Sequence, residues 1–256
     1  MLPSLFLSHG APNILFQDVP ARDFLRDYAK DRPRPRAIVV ATAHWETAQP
    51  AVGAAMAPKT IYDFGRFDDR LFQMHYAAPG DPALAARIAD RLDAAGLSGR
   101  IDPARGYDHG VWVPLSLMYP DAEIPVVPLA VQSRQGPAHH LALGRALAGL
   151  GAEDVLVIGS GSFTHDLHRF FGQPIGAPEP EDVRSFAAWM DKKLTQGATE
   201  DLLAYRSQAP FALENHPADE HLLPLYVAMG AGGGVARRVH SSANYGILRM
   251  DAYEFC

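Results

Sequence analysis

Short, β-branched and apolar segments alternate along this chain with longer segments in which apolar residues recur at helical spacing. That alternation is typical of an α/β domain rather than of a β-sandwich or a helical bundle. We therefore expect one α/β domain over residues 1–256, with a central mixed or mainly parallel sheet flanked by helices. The predicted strands are Ser4–Ser8, Ala37–Ala43, Ala51–Met56, Ile124–Val131, Val155–Ser160 and Gly246–Met250.

Four helices are predicted from capping residues and apolar spacing. The clearest has Asp81 as its N-cap and Pro82 in its first turn, and it ends before Gly96. A second is expected over Pro137–Leu150, and a third opens at Glu179 and ends near Lys193. The fourth lies around Asp219–Met229, where Pro224 implies a late start or a kink.

The composition limits the class of protein. Hydrophobic residues make up 48% of the chain and charged residues 20%, which excludes an intrinsically disordered chain. The 23 basic residues are outnumbered by 29 acidic ones and are scattered, so we expect no nucleic-acid partner. The sequence has no signal-peptide pattern and no apolar stretch of about 18 residues, so we expect a protein that is neither exported nor bound to a membrane. The single cysteine, Cys256, cannot form an intrachain disulfide, which suits the cytoplasm.

Histidines are the most informative residues of the chain. His9, His44, His109 and His165 stand at the ends of predicted strands or in glycine-rich turns, and His221 lies near the start of the fourth predicted helix. In open α/β sheets, ligands bind at the carboxyl ends of the strands, where residues from distant parts of the chain meet. Imidazole is a ligand for zinc, copper, iron and nickel. The pattern predicts a mononuclear site with three or four histidines, although each histidine taken singly could instead cap a turn or satisfy a hydrogen bond in the core.

Other chemistries have weaker support in the sequence. Gly159–Ser162 resembles a phosphate-binding turn, but it lacks the Walker lysine and the spacing of a dinucleotide site. No Gly-x-Ser-x-Gly elbow occurs, which disfavours a serine hydrolase. The aromatic segment Tyr62–Phe67 is expected to be a packed loop that could also cover an aromatic substrate.

Seven short motifs carry a resemblance to a known family. They are Ser8–Pro12, Ala43–Trp45, Asp63–Gly65, Tyr76–Gly80, Gly106–Trp112, Gly159–His165, and His216-Pro217 with Glu220–Leu225. In these motifs, and in their order, the sequence resembles the class III extradiol ring-opening dioxygenases of the LigB-type superfamily. The resemblance is to the DOPA-dioxygenase-like branch, which is related to the catalytic subunit of protocatechuate extradiol dioxygenase, and it extends over nearly the whole chain.

The resemblance implies a single catalytic α/β domain that binds Fe(II), with zinc as a possible bound substitute. It implies that His9, His44 and His221 are metal ligands. His165 matches a position that is either a fourth ligand or an acid/base residue, and His109 matches a histidine that hydrogen-bonds the substrate or oxygen. The implied substrates are a catechol and O₂, and the implied product is a muconic semialdehyde. This chain departs from the usual facial triad because its third ligand would be a histidine and not a carboxylate.

Two alternative functions remain open from the sequence. One is a zinc-dependent hydrolase in which the histidines hold a metal-activated water, and the other is a non-catalytic protein that binds a metal or a small molecule. Asp108, Asp166 and Glu220 each adjoin a histidine of the predicted site, and we expect one or more of them to orient a ring nitrogen. The sequence does not predict the oligomeric state or the identity of the catechol.

Overall fold

The computed structural model describes residues 1–65, 67–233 and 235–256. Within these residues, eight strands form one large sheet, and two short strands pair separately. The large sheet contains β1 (Ser4–Ser8), β2 (Ala37–Glu46), β3 (Ala51–Gly53), β4 (Arg100–Asp102), β5 (Val126–Val131), β6 (Val155–Gly161), β7 (Ala236–His240) and β10 (Ala252–Phe255). The separate pair consists of β8 (Ala243–Asn244) and β9 (Leu248–Arg249).

The strand order of the large sheet is β4-β3-β5-β2-β6-β1-β10-β7. The four central strands, β5, β2, β6 and β1, are parallel to one another. Antiparallel pairs join β3 to β5 at one side, and β10 to both β1 and β7 at the other. The expected α/β class with a mixed, mainly parallel sheet is confirmed.

Ten α-helices connect and cover the strands within the described residues. They are α1 (Pro20–Tyr28), α2 (Pro82–Ala94), α3 (His109–Met118), α4 (Gly136–Ala146), α5 (Leu167–Phe170), α6 (Glu181–Thr195), α7 (Thr199–Leu203), α8 (Tyr205–Gln208), α9 (Ala212–Asn215) and α10 (Leu223–Gly232). None of these helices combines the length and the hydrophobicity that a membrane span requires.

The central strands are buried on both faces, and alternate side chains serve two different cores. Leu5 and Leu7 of β1 pack in a cluster with residues of α1 and α3. Phe6, between them, points to the opposite face and packs with residues of α6 and α10. Helices therefore cover both faces of the sheet, which leaves the carboxyl ends of its parallel strands as the place for a ligand.

The predicted strands are largely correct at the centre of the sheet and wrong at the C-terminus. Gly246–Met250 is not a strand of the large sheet, because only Leu248 and Arg249 pair, and they pair with β8. Positive φ angles at Tyr245 and Gly246 turn the chain there and interrupt the extended segment. The last strand is instead β10, and the prediction missed it together with β4 and β7.

The predicted helices are found with shifted ends. The Asp81 side chain accepts the backbone N–H of Leu84 at 2.9 Å, as expected of an N-cap. The helix expected around Asp219 starts late, at Leu223, with Pro224 in its first turn. The prediction missed α1 and α3. α3 is buried on nearly all sides and contains Pro114, so it lacks the amphipathic pattern that identifies a surface helix.

A buried carboxylate links β10, the strand next to the edge strand β7, to α1. Glu254 of β10 has a side chain that is 3% exposed, and it accepts the Tyr28 hydroxyl at 2.9 Å. Arg32 donates to the same carboxylate at 2.8 Å, and Arg237 also donates to it. A buried carboxylate is stable only with such partners, so this cluster fixes β10 against the N-terminal part of the chain.

We expect Glu254→Ala to lower the free energy of unfolding by about 1–3 kcal/mol, because the buried Tyr28 hydroxyl loses its acceptor while both arginines can turn to water. Chemical denaturation measures this change. Glu123→Ala is the matched control, since Glu123 pairs with Arg34 and both side chains are more than half exposed. The control should lose less than about 0.5 kcal/mol, and equal losses in the two variants would contradict this role of Glu254.

Candidate metal centre

The histidines predicted from the sequence meet at the carboxyl edge of the sheet, where β2, β6 and β1 are neighbours. His9 follows β1 directly, and its backbone N–H donates to the carbonyl of Gly161 at 2.9 Å. His44 was expected just after a strand but lies within β2. The register of β2 against β5 shifts between Thr42 and Glu46, so His44 sits in an irregular stretch of the ladder. Such bulges redirect side chains, and this one turns His44 towards the site.

His221 reaches the same place from the other side of the sheet. It stands two residues before α10, and its carbonyl accepts the backbone N–H of Ser162 at 2.9 Å. The close approach requires glycine at position 161, because a Cβ there would lie 2.0 Å from the carbonyl oxygen of His221. Gly161 thus lets the loop that carries His221 lie directly against the end of β6.

Three imidazole nitrogens face one another at the centre of the site. The Nε2 atom of His44 lies 3.1 Å from that of His9 and 3.2 Å from that of His221. The donor atoms of the three residues all lie within 4.8 Å of one another. Two nitrogens bound to one ion at about 2.1 Å, with about 90–110° between them, are separated by about 3.0–3.4 Å, so the observed spacing fits a shared cation.

The polar contacts behind the rings indicate which nitrogen carries the proton. The Ser160 hydroxyl donates to the carbonyl of Gly110, so it can only accept from His9 Nδ1, 3.0 Å away. His221 Nδ1 lies 2.9 Å from the carboxylate of Glu220 and donates to it. His44 Nδ1 faces the carboxylate of Asp63 at 3.6 Å. With Nδ1 protonated in each ring, all three Nε2 atoms present lone pairs, and lone pairs this close repel unless a cation lies between them.

The electrostatics of the site keep these imidazoles neutral. Burial, followed by repulsion from neighbouring imidazoles, lowers the pKa of His9, His44 and His221 well below the usual histidine value. A metal binds the neutral form of imidazole, so protons do not compete for the three Nε2 atoms near neutral pH. The donor set of three neutral nitrogens fits a first-row transition metal such as Fe(II) or Zn(II).

His109 and His165 flank these three rings. His109 is the first residue of α3, and its ring centroid lies 3.8 Å from that of His44. The His165 ring stacks on His221 with centroids 3.4 Å apart, and burial lowers the pKa of His165 to about 4. His165 belongs to a second group of donor atoms, with Glu220 and His221, and not to the group of three histidines. The remaining six histidines take no part in these groups.

The carboxylates around the site differ in part from the prediction. Glu220 contacts the His221 ring as expected, but Asp108 accepts the Thr42 hydroxyl at 2.7 Å and pairs with Arg105, away from the His109 ring. Asp166 caps α5 by accepting the backbone N–H of His168. The expectation that one or more of the three carboxylates contacts a ring nitrogen is therefore met by Glu220, whereas Asp108 and Asp166 are engaged elsewhere because adjacency in sequence does not set the direction of a side chain.

Sequence reasoning missed Asp63, although this residue belongs to one of the seven quoted motifs. One of its oxygens lies 3.0 Å from His109 Nδ1 and accepts the His109 backbone N–H at 2.9 Å. Burial on its own raises the pKa of the Asp63 carboxyl, but the interactions with His109 and the nearby His44 outweigh it and lower the pKa to about 2. Asp63 is therefore ionised beside two of the five histidines.

A cavity of about 250 Å³ opens in front of the histidines. Aromatic and aliphatic side chains form the rest of the wall, including Phe64 and Phe67 from the aromatic segment predicted to cover a substrate. Arg66 of that segment lies outside the described residues. The lining residues are His9, Gly10, Ala11, Pro12, His44, Asp63, Phe64, Gly65, Phe67, His109, Ser162, His165, Leu167, Phe170, Phe171, His221 and Leu248. A cavity with one polar and one apolar wall suits a small, flat ligand with polar groups at one end.

Comparisons with known proteins agree with the resemblance. Residues 5–253 match the family model of the catalytic LigB subunit of aromatic ring-opening dioxygenase. The chain is 43% identical to the 4,5-DOPA dioxygenase extradiol of Beta vulgaris, over 98% of this chain and 96% of the relative. It is 40% identical to the Escherichia coli protein of the same name, over 91% and 86%. The crystal structure of an uncharacterized Escherichia coli K12 protein superposes with a TM-score of 0.83 at 34% identity, covering all of both chains.

We expect His9→Ala, His44→Ala and His221→Ala each to abolish binding of one metal ion per chain, because each variant removes one of the three facing Nε2 atoms. Titration of the metal-free protein with Zn(II), followed by metal analysis after gel filtration, measures the stoichiometry. His75→Ala is the control, since His75 is exposed and bonds only Thr60 among the described residues. Full metal occupancy in two or more of the three site variants would refute this assignment.

Proposed function

This chain belongs to the family of the catalytic LigB subunit of aromatic ring-opening dioxygenases, and from that premise we propose that it cleaves a catechol with O₂, using Fe(II) held by His9, His44 and His221. The product would be a muconic semialdehyde. The chain is an extradiol ring-opening dioxygenase by its family; the metal, the oxidant and the ligand residues are our proposal. The observation that carries it is the convergence of the Nε2 atoms of three buried histidines at one end of an apolar-walled cavity.

The choice of iron follows from the reaction. When bound, Fe(II) would act as a Lewis acid toward the catechol hydroxyls and supply the redox chemistry that O₂ requires, which zinc cannot supply. Three histidines leave the metal with a higher net charge than a facial triad with one carboxylate would. Glu220 and Asp63 place negative charge behind two of the three rings, at His221 and His44, which offsets part of that difference.

The residues beside the metal ligands suit proton transfer. Ring opening requires a catechol hydroxyl to lose its proton, and a neutral imidazole at hydrogen-bonding distance can accept it. His165 is neutral near pH 7 because burial lowers its pKa to about 4. We assign His165 as an acid/base residue in preference to a fourth ligand, because its ring stacks on the face of His221 and lies outside the group of three facing nitrogens. We assign His109 to hydrogen-bond the substrate or oxygen from the opposite side.

The cavity suits the ring of the substrate. Phe64, Phe67 and Phe170 line it, and aromatic side chains pack against a flat ring by edge or face contacts. Its volume of about 250 Å³ lies just below the range of about 300–1,000 Å³ typical of ligand pockets, so it holds one substituted ring. The relatives from Beta vulgaris and Escherichia coli are named as 4,5-DOPA dioxygenases, so DOPA is the first catechol to test.

We expect protein reconstituted anaerobically with Fe(II) to consume one O₂ per catechol cleaved and to develop the visible absorbance of a muconic semialdehyde. An oxygen electrode and a spectrophotometer measure the two quantities on the same sample, over a panel of catechols that includes DOPA. Zinc-loaded protein is the control and should show neither change. Turnover by zinc-loaded protein without O₂ uptake would support a zinc hydrolase instead, and metal binding without turnover across the panel would support a binding protein.

We expect His165→Ala and His109→Ala to keep about one metal ion per chain while kcat falls by about 10²–10⁴-fold, because each loses a proton-transfer or hydrogen-bonding group and not a ligand. Steady-state oxygen uptake with parallel metal analysis separates the two effects. His168→Ala is a suitable control, because it is an exposed histidine three residues beyond His165. Loss of the metal from His165→Ala would instead make His165 a fourth ligand.

A further inference from the structure

The loop that carries Asp63 is fixed against the start of α3 by backbone hydrogen bonds. Tyr107 donates its N–H to the carbonyl of Lys59 at 2.8 Å, and Ile61 donates to the carbonyl of Tyr107 at 2.7 Å. The indole of Trp112 in α3 donates to the carbonyl of Ile61 at 3.1 Å. These bonds form a short parallel bridge on one side of the helix, so Asp63 reaches the site from a rigid support and not from a free loop.

Asp63 contacts two histidines that have different roles in the proposed reaction. Its Oδ1 atom accepts the backbone N–H of His109 at 2.9 Å and lies 3.0 Å from the Nδ1 atom of the same residue. Its Oδ2 atom faces Nδ1 of His44 at 3.6 Å. The two imidazole rings lie side by side with centroids 3.8 Å apart, so a single carboxylate spans both.

The position of the Asp63 side chain also favours a negative charge on its carboxylate. The N–H of His109 is one of the unpaired donors at the N-terminus of α3, a helix of ten residues, and an anion there is stabilised by the helix dipole. The formal N-cap residue, Asp108, makes no capping bond with its side chain and is engaged by Thr42 and Arg105. Asp63 thus replaces Asp108 as the side chain that caps α3.

We propose that Asp63 is a positioning residue that orients the metal ligand His44 and the substrate-facing His109 together, because its negative charge beside both Nδ1 atoms favours the tautomer with the proton on Nδ1 in each ring. This proposal rests on the proposed function for the roles of the two histidines. With both Nδ1 atoms protonated, His44 presents the lone pair of Nε2 to the metal, and His109 presents the lone pair of Nε2 to a substrate proton.

A carboxylate can serve both rings, but an amide cannot. Each oxygen of a carboxylate accepts hydrogen bonds, whereas an asparagine in the same place has one acceptor oxygen and one donor NH₂ group. If the oxygen stays on the His109 backbone N–H, the NH₂ group faces His44 Nδ1 and favours the tautomer with the proton on Nε2. That tautomer has no lone pair on Nε2 for the metal. Asp63→Asn therefore keeps the helix cap and removes the orientation of His44.

The experiment compares full-length wild type, Asp63→Asn and Asp63→Ala. Two-bond ¹H–¹⁵N correlation spectra of the Zn(II)-loaded proteins identify the protonated nitrogen of each imidazole, and competition with a chelator gives the Zn(II) affinity. Glu220→Gln is the matched control, because Glu220 contacts His221 and His165 but neither His44 nor His109 among the described residues. Oxygen uptake with Fe(II) then gives kcat and KM separately.

We expect wild-type His109 to carry its proton on Nδ1, Asp63→Asn to keep it there through the retained oxygen, and Asp63→Ala to lose that preference. Zn(II) affinity should fall by about 10–100-fold in both variants, because His44 loses the carboxylate that faces its Nδ1 atom. We expect Glu220→Gln to weaken Zn(II) binding without changing the His109 tautomer. For activity, kcat of Asp63→Asn should fall more than KM rises. Wild-type Zn(II) affinity in Asp63→Asn, or a wild-type His109 tautomer in a folded Asp63→Ala, would overturn the proposal, because a residue that only caps α3 would leave both unchanged.

The proposed function and the positioning role of Asp63 are tested by different measurements. Absence of oxygen uptake in the wild-type protein would overturn the proposed function, while the spectra and Zn(II) affinities would still decide whether Asp63 orients the two rings. If Asp63→Ala fails to fold, Asp63→Asn still tests the proposal because it retains the acceptor for the His109 backbone N–H.

Discussion

The site depends on one constraint: the Nε2 atoms of His9, His44 and His221 face one another at close range. Ser160 and Glu220 accept from the far nitrogens of His9 and His221, and the Asp63 carboxylate faces that of His44 at 3.6 Å. These partners favour protons on the far nitrogens, and near nitrogens with lone pairs only 3.1–3.2 Å apart repel one another without a cation between them. The surrounding burial keeps the rings neutral and therefore able to bind a metal. Burial of these histidines lowers the free energy of unfolding, and binding of a metal ion would raise it.

Adjacent strand ends, a register shift and a glycine bring these histidines together. The carboxyl ends of β1, β2 and β6 are adjacent, so His9 and His44 meet although they are far apart in sequence. A register shift in β2 turns His44 inward, and the absence of a Cβ at Gly161 lets His221 approach from the start of α10. The apolar cavity wall comes from a different set of segments, the aromatic loop after β3 and the region around α5. Changes in those segments can therefore alter the shape of the cavity without moving the three facing histidines.

The sequence was sufficient to predict the class of fold and the convergence of His9, His44 and His165, because buried parallel strands have a recognisable pattern and their ends lie on a common edge. The family resemblance added the roles of His109 and His221. The sequence could not predict β10 or α3: the pairing of β10 with β1 joins opposite ends of the chain, and α3 is buried on nearly every side and so has no amphipathic period. Nor did it predict Asp63 as the carboxylate beside His109. Asp108 was the nearer candidate in sequence, but Thr42 and Arg105 hold it elsewhere, and only the bridge between residues 60 and 107 brings Asp63 to the ring.

The most direct test of the account is X-ray absorption spectroscopy at the iron edge on anaerobic, Fe(II)-loaded protein, with and without a bound catechol. The account predicts multiple-scattering features from three imidazole ligands, and a change in the remaining light-atom ligands when catechol is added. It also predicts that Fe(II) added to His44→Ala shows no such three-imidazole signal. An iron environment without imidazole scattering in the wild-type protein, or one that is the same in His44→Ala, would contradict the claim that these rings form the metal centre.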